Sequence, residues 1–475
     1  MSALAQYFLA QGWEVSGSDA AESGIIEELR KTGVKITSPQ PSPSKGEGEM
    51  LNPSQPPFTK GGKMLDLVVY SAAVREDNPE LVEARKTGLK CQKYAEALGE
   101  LTKEKYTIAI SGMHGKSTTT AMIGLMMKKA GLDPTVIVGT KVKWDSAITS
   151  PQPSPLKGEG EICPSHPFTK EGENFSNFRA GNSKYLVIEA DEYDRSFLNY
   201  WPKILVLLNI EEEHLDTYTG GLSDIMRTFE EYAGHLPEDG VLVANEEDEN
   251  IATLINPKSE FLISKQISNP KFKIQKYNSN AVEGLNLKVP GRHNVSNANA
   301  AVAVARVLGI DKKVAIGALN EFNGAWRRME YKGEINGAKV YDDYGHHPTE
   351  IQATLAGARE LVGEGRQLWC VFQPHQYHRT YDLFDKFVGA FGSADKVILL
   401  PIYSVAGRED EEIKRKVSSE SLAKSLSANR EEPVVYLEKL DEAAAYLQEN
   451  LKPGDVCVIM GAGDIYKLTP KLLEE

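Results

Sequence analysis

The sequence predicts an α/β protein with largely parallel sheets, and three observations support this prediction. Short apolar runs alternate with amphipathic helical segments along most of the 475 residues, which is the pattern of buried strands and their covering helices. One apolar run leads into the turn Gly115, Lys116 and Ser117 at the start of a helical segment. Acidic residues and histidines follow several other runs, where the carboxyl ends of parallel strands would form a ligand site.

The individual elements follow from apolar periodicity along the chain. Residues 1–19 are predicted to form a helix that leads into a strand and a turn. Buried strands are predicted at residues 65–74, 106–111, 184–191, 203–210, 241–245, 338–344, 368–373, 396–401, 433–437 and 455–463. The clearest helices between them are predicted at residues 118–130, 294–308, 348–361 and 440–451.

Two nearly identical passages interrupt this pattern. Residues 37–49 read TSPQPSPSKGEGE and residues 149–161 read TSPQPSPLKGEGE. Closely spaced prolines disfavour both helix interiors and central strands, and few apolar side chains are present to offset the entropy of ordering. We interpret the passages as copies of one element inserted into two surface loops, at about residues 38–62 and 150–173. A pair of polyproline ligand segments is the alternative.

Composition limits the classes of function. The formal net charge of −13 excludes a general nucleic-acid binder, which would carry a basic face. Cys91, Cys163, Cys370 and Cys457 show no C-x-x-C spacing, so we expect no zinc knuckle and predict a reduced, cytoplasmic protein. No run approaches ~18 apolar residues, so no membrane span is expected. The sequence leaves the oligomeric state open.

The stretch SGMHGKSTTT at residues 111–120 predicts a phosphate-binding loop that is shorter than the Walker A loop. Ile110 stands where the first glycine of G-x-x-x-x-G-K-[ST] would be. Backbone N–H groups of such a turn and of the following helix can hold phosphate oxygens. Lys116 would then reach the β- and γ-phosphates, and Ser117 would hold Mg²⁺. The alternative is a plain strand-to-helix turn.

Two acidic motifs follow the next two central strands. They read EADEYD at residues 189–194 and NIEEEHLD at residues 209–216. Carboxylate oxygens with one imidazole suit Mg²⁺ or Mn²⁺ beside phosphates. A metal site is therefore predicted here, and a solvated acidic loop is the alternative.

Four further polar motifs lie in predicted turns of the second half. They are GRHN at residues 291–294, the pair Arg327 and Arg328, DDYGHHPTE at residues 342–350 and FQPHQYHRT at residues 372–380. Most of the histidines fall in such turns, which indicates a shared polar site. Asn294 could equally serve only as a helix cap.

Taken in order, these motifs resemble those of the Mur ligases, and the resemblance spans the chain apart from the two insertions. It implies three α/β domains, in line with the length. The first, about residues 1–100, would be Rossmann-like and bind a UDP-sugar. The second, about residues 101–325, would be a P-loop-type ATPase domain. The third, about residues 326–475, would be Rossmann-like and bind the amino acid.

Within the family, DDYGHHPTE and FQPHQYHRT are most similar to the members that join L-alanine to UDP-N-acetylmuramate in peptidoglycan synthesis. This resemblance implies that the lactyl carboxylate attacks the γ-phosphate of ATP. The resulting acyl phosphate would then be displaced by the amine of L-alanine. Two alternatives stay open: a recycling ligase that attaches a murein tripeptide to the same sugar, and an inactive remnant that only binds nucleotide.

The resemblance also implies roles for individual residues. Catalytic roles fall to Lys116, His114, His347 and Arg379. Contacts to ATP fall to Gly112, Met113, His114, Gly115, Lys116, Ser117, Thr118, Asn294, Arg328 and Asp343. One or two Mg²⁺ ions, which Mn²⁺ can replace, would be held by Ser117, Glu189 and His214. Contacts to UDP-N-acetylmuramate or L-alanine fall to Ser18, Asp19, Ser71, Ala72, His114, Glu192, His347, His375 and Arg379.

The sequence departs from the family pattern at three places. The strand and glycine-rich loop of the motif G-x-G-G-x-G-M-S-A-L-A are missing ahead of Met1, so the first domain is expected to lack its first strand. In the motif FQPHQYHRT, Gln376 occupies a position at which arginine is frequent in the family. Arg227 and Phe229 lie where some relatives have a carbamylated lysine, so none is expected here.

Overall fold

In the computed structural model, the chain forms two compact units, Met1–Lys276 and Tyr277–Glu475. Both proline-rich passages, 38–62 and 150–173, lie outside the described residues. The described residues are 1–19, 24–37, 65–144, 175–214, 217–256, 258, 272–280, 282–404, 411–428 and 430–473.

The first unit contains a large central sheet and two small ones. Its strands are β1 Ser16–Ser18, β2 Lys35–Thr37, β3 Leu67–Tyr70, β4 Lys90–Lys93, β5 Tyr106–Ser111, β6 Thr135–Lys143, β7 Phe175–Arg179, β8 Tyr185–Glu189, β9 Ile204–Leu207, β10 Val241–Asn245 and β11 Lys273–Tyr277. Its helices are α1 Ser2–Ala10, α2 Gly24–Lys31, α3 Pro79–Lys86, α4 Tyr94–Glu104, α5 Lys116–Lys129, α6 Leu222–Ala233 and α7 Glu249–Leu254, with a 3₁₀ helix at Tyr193–Asn199.

The central sheet places β5 between β8 and β9. Its strand order is β11-β10-β9-β5-β8-β6-β7, and β5 pairs in parallel with both neighbours. Ile110 lies opposite Glu189 on one side, and Ser111 lies opposite Leu207 on the other. The phosphate loop and the two acidic motifs therefore leave the sheet at the same edge, as the parallel arrangement requires.

The central strands could be predicted from the sequence because their side chains are buried. Ile108, Ala109 and Ile110 of β5 are fully buried, because the core covers both faces of the strand. Helix α5 follows directly, and its first turns are buried even at Thr119 and Thr120. At one edge of the sheet, β6 pairs with β7 in the antiparallel direction.

The N-terminal elements form two separate parallel pairs, β1 with β2 and β3 with β4. Helix α1 packs on the central sheet rather than on these pairs alone. Gln6 Nε2 donates to Asn177 Oδ1 of β7 at 3.1 Å, and the rings of Tyr7 and Phe178 meet edge to face. The predicted N-terminal helix and the strand that follows it are present.

The second unit is built on one six-stranded sheet. Its strands are β12 Glu330–Ile335, β13 Ala338–Asp343, β14 Leu368–Phe372, β15 Lys396–Leu399, β16 Val435–Tyr436 and β17 Val456–Met460. Its helices are α8 Arg292–Leu308, α9 Lys312–Asn320, α10 Pro348–Arg359, α11 Tyr377–Asp382, α12 Phe384–Val388, α13 Glu411–Lys416, α14 Ser419–Ser427, α15 Leu440–Asn450 and α16 Leu468–Leu473, with a 3₁₀ helix at Asp464–Lys467.

The strand order of this sheet is β12-β13-β17-β14-β15-β16. Only β12 runs antiparallel to its neighbour, and the remaining pairings are parallel. Apolar clusters cover both faces, with Phe372 and Phe391 on one side and Val371 and Ile459 on the other. The predicted α/β class with largely parallel sheets is confirmed. Among the described residues, no helix has the length and apolar character needed to cross a membrane.

Candidate active site

The phosphate loop joins β5 to α5, and two glycines give it its shape. Gly112 has a φ of +136° and Gly115 a φ of +83°, values that side chains disfavour. A Cβ at Gly112 would lie 2.9 Å from the carbonyl oxygen of Asn209. The loop therefore approaches the next strand end so closely that only glycine fits.

Asn209 holds this loop in place through hydrogen bonds. The sequence analysis did not include Asn209 among the site residues. Its side-chain oxygen accepts from the backbone N–H of His114 at 2.8 Å, and its amide donates to the carbonyl of His114 at 2.9 Å. The backbone N–H of Met113, a buried residue, also donates to the Asn209 carbonyl at 3.3 Å. In the sequence, the position of Asn209 at the start of the NIEEEHLD motif could have indicated this role.

Lys116 is the first residue of α5, and its ammonium group turns back over the loop. Nζ donates to the carbonyl oxygens of Gly112 at 2.7 Å and Met113 at 3.1 Å. It also contacts both carboxylate oxygens of Glu192, at 2.9 and 3.1 Å. Burial alone would lower the pKa of Lys116, but the surrounding carboxylates, led by Glu192, raise it above its usual value. Lys116 is therefore a fixed positive charge.

Glu192 joins Lys116 to the predicted metal histidine. Its side chain is 1% exposed, and Oε1 lies 3.3 Å from Nε2 of His214. Burial raises the pKa of Glu192, but Lys116 and His214 outweigh this effect and lower it. In this structure the carboxylate of Glu192 contacts Lys116 and His214, and its expected contact to the substrate stays a prediction.

Ser117 and Glu189 provide oxygen atoms that fit Mg²⁺. Ser117 Oγ lies 3.0 Å from each carboxylate oxygen of Glu189, and the backbone N–H of Gly139 donates to Glu189 Oε2 at 2.7 Å. A hydroxyl and an oriented carboxylate are hard oxygen ligands of the kind that Mg²⁺ prefers. Thr118, the next predicted residue, is buried.

The predicted UDP-sugar residues occupy two places in the first unit. Ser71 and Ala72 line a pocket of about 290 Å³, together with Lys93 and Tyr94. Ser18 donates instead to Glu80 Oε2 at 2.8 Å. Asp19 follows Ser18 and is exposed.

In the second unit, Asp343 ends β13 and is almost completely buried. Its carboxylate accepts from the backbone N–H groups of Met329 at 2.8 Å and Gly345 at 2.7 Å. Arg328 Nη1 lies 3.3 Å from Glu350, and its guanidinium lies over the ring of Tyr344. Burial raises the pKa of Asp343, while Arg328 opposes that shift. Arg328 and Asp343 are thus brought to one end of the sheet.

His347 caps helix α10 and is buried. Its side chain accepts from the backbone N–H of Thr349, and Glu350 accepts in return from the backbone N–H of His347 at 3.4 Å. This reciprocal cap explains why the motif carries glutamate three residues after the histidine. His346 lies beside it, with its ring 6.0 Å from that of His375.

His375 and Arg379 lie after β14. The ring of His375 stacks on Tyr403 with a centroid distance of 5.5 Å. Gln376 has a φ of +72° and precedes α11, which carries the half-buried Arg379. Asn294, in the first turn of α8, donates to the carbonyl of Pro290 at 2.7 Å.

Arg327 was quoted in a motif but given no role, and it is buried among aromatic rings. Its guanidinium lies over the ring of Tyr344 at 5.3 Å and over that of Tyr466 at 5.1 Å, and it donates to the carbonyl of Gly461. Its backbone has a left-handed φ of +54°. Arg327, the first arginine of the pair, therefore supports the fold. The sequence alone could not show whether Arg327 supports the fold or binds a ligand.

Comparisons with known proteins bear on the whole chain. Residues 1–106 match the Mur ligase family, catalytic domain, residues 110–305 match the Mur ligase middle domain, and residues 327–463 match the Mur ligase, glutamate ligase domain. The UDP-N-acetylmuramate–L-alanine ligase of Acetivibrio thermocellus is 37% identical, over 100% of this chain and 93% of that protein. The protein of the same name from Clostridium tetani is also 37% identical, over 98% and 94%.

Solved structures agree with these matches. The UDP-N-acetylmuramate-alanine ligase of Thermotoga maritima superposes with a TM-score of 0.72 at 25% identity, covering 100% of this chain and 96% of that one. A murein peptide ligase from Psychrobacter arcticus shares the fold, with a TM-score of 0.63 at 23% identity and coverage of 100% and 95%. By its sequence identity over the full length and by its three-domain α/β fold, the chain belongs to the Mur ligase family.

Proposed function

We propose that the protein uses ATP to join L-alanine to the lactyl carboxylate of UDP-N-acetylmuramate. The observation that carries this proposal is the identity of 37%, over 98–100% of the chain, to relatives that are named for that reaction. The fixed Lys116 ammonium at the phosphate loop supports the ATP-dependent part. Cytoplasmic location stays a prediction from the cysteine pattern.

ATP is proposed to bind with its phosphates on the loop Gly112 to Thr118. Backbone N–H groups of this loop and of the α5 amino end favour negative charge, and Lys116 adds a full positive charge. Asn294, Arg328 and Asp343 are proposed to contact the nucleotide. The polar side chains of Arg328 and Asp343 are each held by neighbouring groups, so they are already oriented.

Mg²⁺ is proposed to be held by Ser117 and Glu189, with His214 as a ligand of a second ion. When bound, the ion would neutralise phosphate charge. Glu189 is kept in place by the Gly139 N–H, and His214 by Glu192. These two contacts orient the side chains without any help from the metal.

The proposed reaction has two balanced steps. An oxygen of the lactyl carboxylate forms a bond to the γ-phosphorus as the bond to the bridging oxygen of ADP breaks. The amine of L-alanine then attacks the carbonyl carbon of the acyl phosphate, loses a proton, and expels phosphate. Lys116 would stabilise the transferring phosphoryl group by its charge.

Several further residues are proposed to bind UDP-N-acetylmuramate and L-alanine. His114, whose Nε2 lies 3.8 Å from Glu211, is proposed to face the sugar acid with Ser18, Asp19, Ser71 and Ala72. His347, His375 and Arg379 are proposed to serve the acyl phosphate and the alanine carboxylate. Glu192 is proposed to affect the substrate through Lys116, because its carboxylate is enclosed.

The test is phosphate release by the purified full chain. Release is expected to require ATP, Mg²⁺, UDP-N-acetylmuramate and L-alanine together, and D-alanine serves as the matched control. A murein tripeptide is tested as the competing acceptor. Release with tripeptide but not with L-alanine would show a recycling ligase, and no release with either acceptor would overturn the proposal.

A further inference from the structure

We propose that the hydroxyl group of Tyr218 is a positioning group for the phosphate-binding lysine, acting through Glu192. This inference rests on the proposed ATP-dependent function, but it concerns a residue that carries no role in the site described above. Tyr218 is completely buried. Its hydroxyl donates to the backbone carbonyl of Glu192 at 2.6 Å.

The need for such a group follows from the backbone around Glu192. Asp194 and Arg195 both have left-handed conformations, with φ of +53°. Consecutive residues of this kind are strained and persist only where neighbours hold them. Within this turn, the carbonyl of Glu192 accepts from the backbone N–H of Arg195 at 3.0 Å. The Tyr218 hydroxyl supplies a contact from outside the turn.

Tyr218 is also fixed to the other acidic motif. Its backbone N–H donates to the carbonyl of His214 at 2.9 Å. One residue thus touches the loop that carries His214 with its backbone, and the loop that carries Glu192 with its side chain. It sets the distance between the carboxylate and the imidazole, which are 3.3 Å apart.

Further contacts hold the Tyr218 ring. The guanidinium of Arg195 lies 5.5 Å from the ring centre. Arg195 Nη2 in turn donates to both carboxylate oxygens of Asp224, at 2.9 and 3.0 Å. Asp224, Arg195 and Tyr218 therefore form a connected support behind Glu192, and Glu192 contacts Lys116 directly.

The experiment is a double-mutant cycle of Tyr218→Phe with Glu192→Gln in the full chain. Tyr218→Phe keeps the ring and removes only the hydroxyl. We expect the affinity for Mg·ATP or the kcat to fall about tenfold, the usual effect of one lost hydrogen bond. In the Glu192→Gln background, the same change is expected to cost less than about twofold, because the two residues act in series.

The matched control is Tyr232→Phe. Tyr232 is also completely buried, and its hydroxyl has no hydrogen-bond partner among the described residues. Its removal is expected to leave Mg·ATP affinity and kcat unchanged in both backgrounds. If Tyr218→Phe behaves like this control, or if its effect is equally large with Glu192→Gln, the positioning role is wrong.

A second measurement and a second variant ensure that the experiment decides the role of Tyr218. The cycle is scored on Mg·ATP affinity as well as on kcat, so it decides the role of Tyr218 even if L-alanine proves not to be the acceptor. If Tyr218→Phe is too unstable to purify, Asp224→Asn weakens the same support from its far end. It is then expected to show the same loss of effect in the Glu192→Gln background, and additivity there would overturn the proposal.

Discussion

Lys116 is held by the carbonyl oxygens of Gly112 and Met113 and by the carboxylate of Glu192. Charges that are already oriented toward a reacting group need little reorganisation during the reaction, which is the main source of electrostatic catalysis. The sequence predicted the lysine from its G-K-S motif. It did not predict that Glu192 would hold it, because that contact joins two separate strand ends.

Lys116→Ala is expected to reduce kcat by about 10²–10³-fold or more, because it removes an oriented charge from phosphoryl transfer. The fold should persist, since the side chain lies over a turn and not in the apolar core. Lys129→Ala, at the exposed opposite end of α5, is the matched control and should retain activity. Near-normal phosphate release by Lys116→Ala would contradict the assignment.

His293 is expected to make stability depend on pH. Burial, followed by the nearby Arg328, lowers the pKa of His293 to about 4, whereas an unfolded histidine has a pKa of about 6.5. Between these values only the unfolded chain binds the proton. The stability contributed by neutral His293 is therefore complete above about pH 6.5 and is lost as the pH falls towards about 4.

The check is urea unfolding of the wild type and of His293→Gln across this pH range. The wild type is expected to lose about 1.4 kcal/mol more per pH unit than the variant, the amount that corresponds to one proton. Identical pH slopes for the two proteins would show that His293 does not titrate differently on folding.

The conformation of the phosphate loop depends on the close approach of Gly112 to the backbone of Asn209. A Cβ at Gly112 would meet the backbone of Asn209. Gly112→Ala is therefore expected to displace the loop and weaken ATP binding by about tenfold or more, in addition to the cost of about 1–2 kcal/mol for a left-handed side chain. Gly131→Ala, with a φ of +77° and open space around it, should show only that conformational cost. Equal ATP affinities of the two variants, measured by calorimetry, would refute the close-approach argument.

The edge hairpin of β6 and β7 leads to a second prediction. Lys143 and Phe175 are cross-strand partners, so the chain on either side of residues 145–174 is already adjacent. Replacing those residues with a turn of about two to four residues containing Asn-Gly is compatible with this pairing. The thermal midpoint and ATP affinity are expected to stay close to those of the full chain. Loss of folding would show that the removed segment stabilises the unit.

The elements also show what the sequence can and cannot predict. Residues 106–111 and 241–245 were predicted as strands and coincide with β5 and β10, because buried parallel strands have continuous apolar sequences. Strand β12 was missed, since its sequence EYKGEI carries the polar residues of an edge. The predicted strand 65–74 ends at Tyr70, where a turn begins with Val74 N–H donating to the Ser71 carbonyl.

For the site, the sequence identified the motifs but did not predict the contacts that join one part of the site to another. Asn209 holds the His114 backbone across 95 positions of sequence, and Tyr218 reaches Glu192. Both contacts depend on which strand ends are neighbours. That information comes from the sheet order and is absent from any single motif.

At the scale of the whole molecule, three family matches follow one another along the chain, at residues 1–106, 110–305 and 327–463. The domain limits expected from the sequence, near residues 100 and 325, stay predictions. The central claim concerns the reaction. It states that the carboxylate of UDP-N-acetylmuramate is activated by direct attack on ATP, and that L-alanine then displaces phosphate.

The most direct measurement follows an oxygen atom through this reaction. UDP-N-acetylmuramate labelled with ¹⁸O in the lactyl carboxylate is incubated with the full chain, Mg·ATP and L-alanine, and the products are weighed by mass spectrometry. The account predicts one labelled oxygen in the released phosphate and the other in the new amide, because the carboxylate oxygen that bonds to phosphorus leaves with it. Unlabelled phosphate, or an alanine adduct that retains both labelled oxygens, would contradict the account.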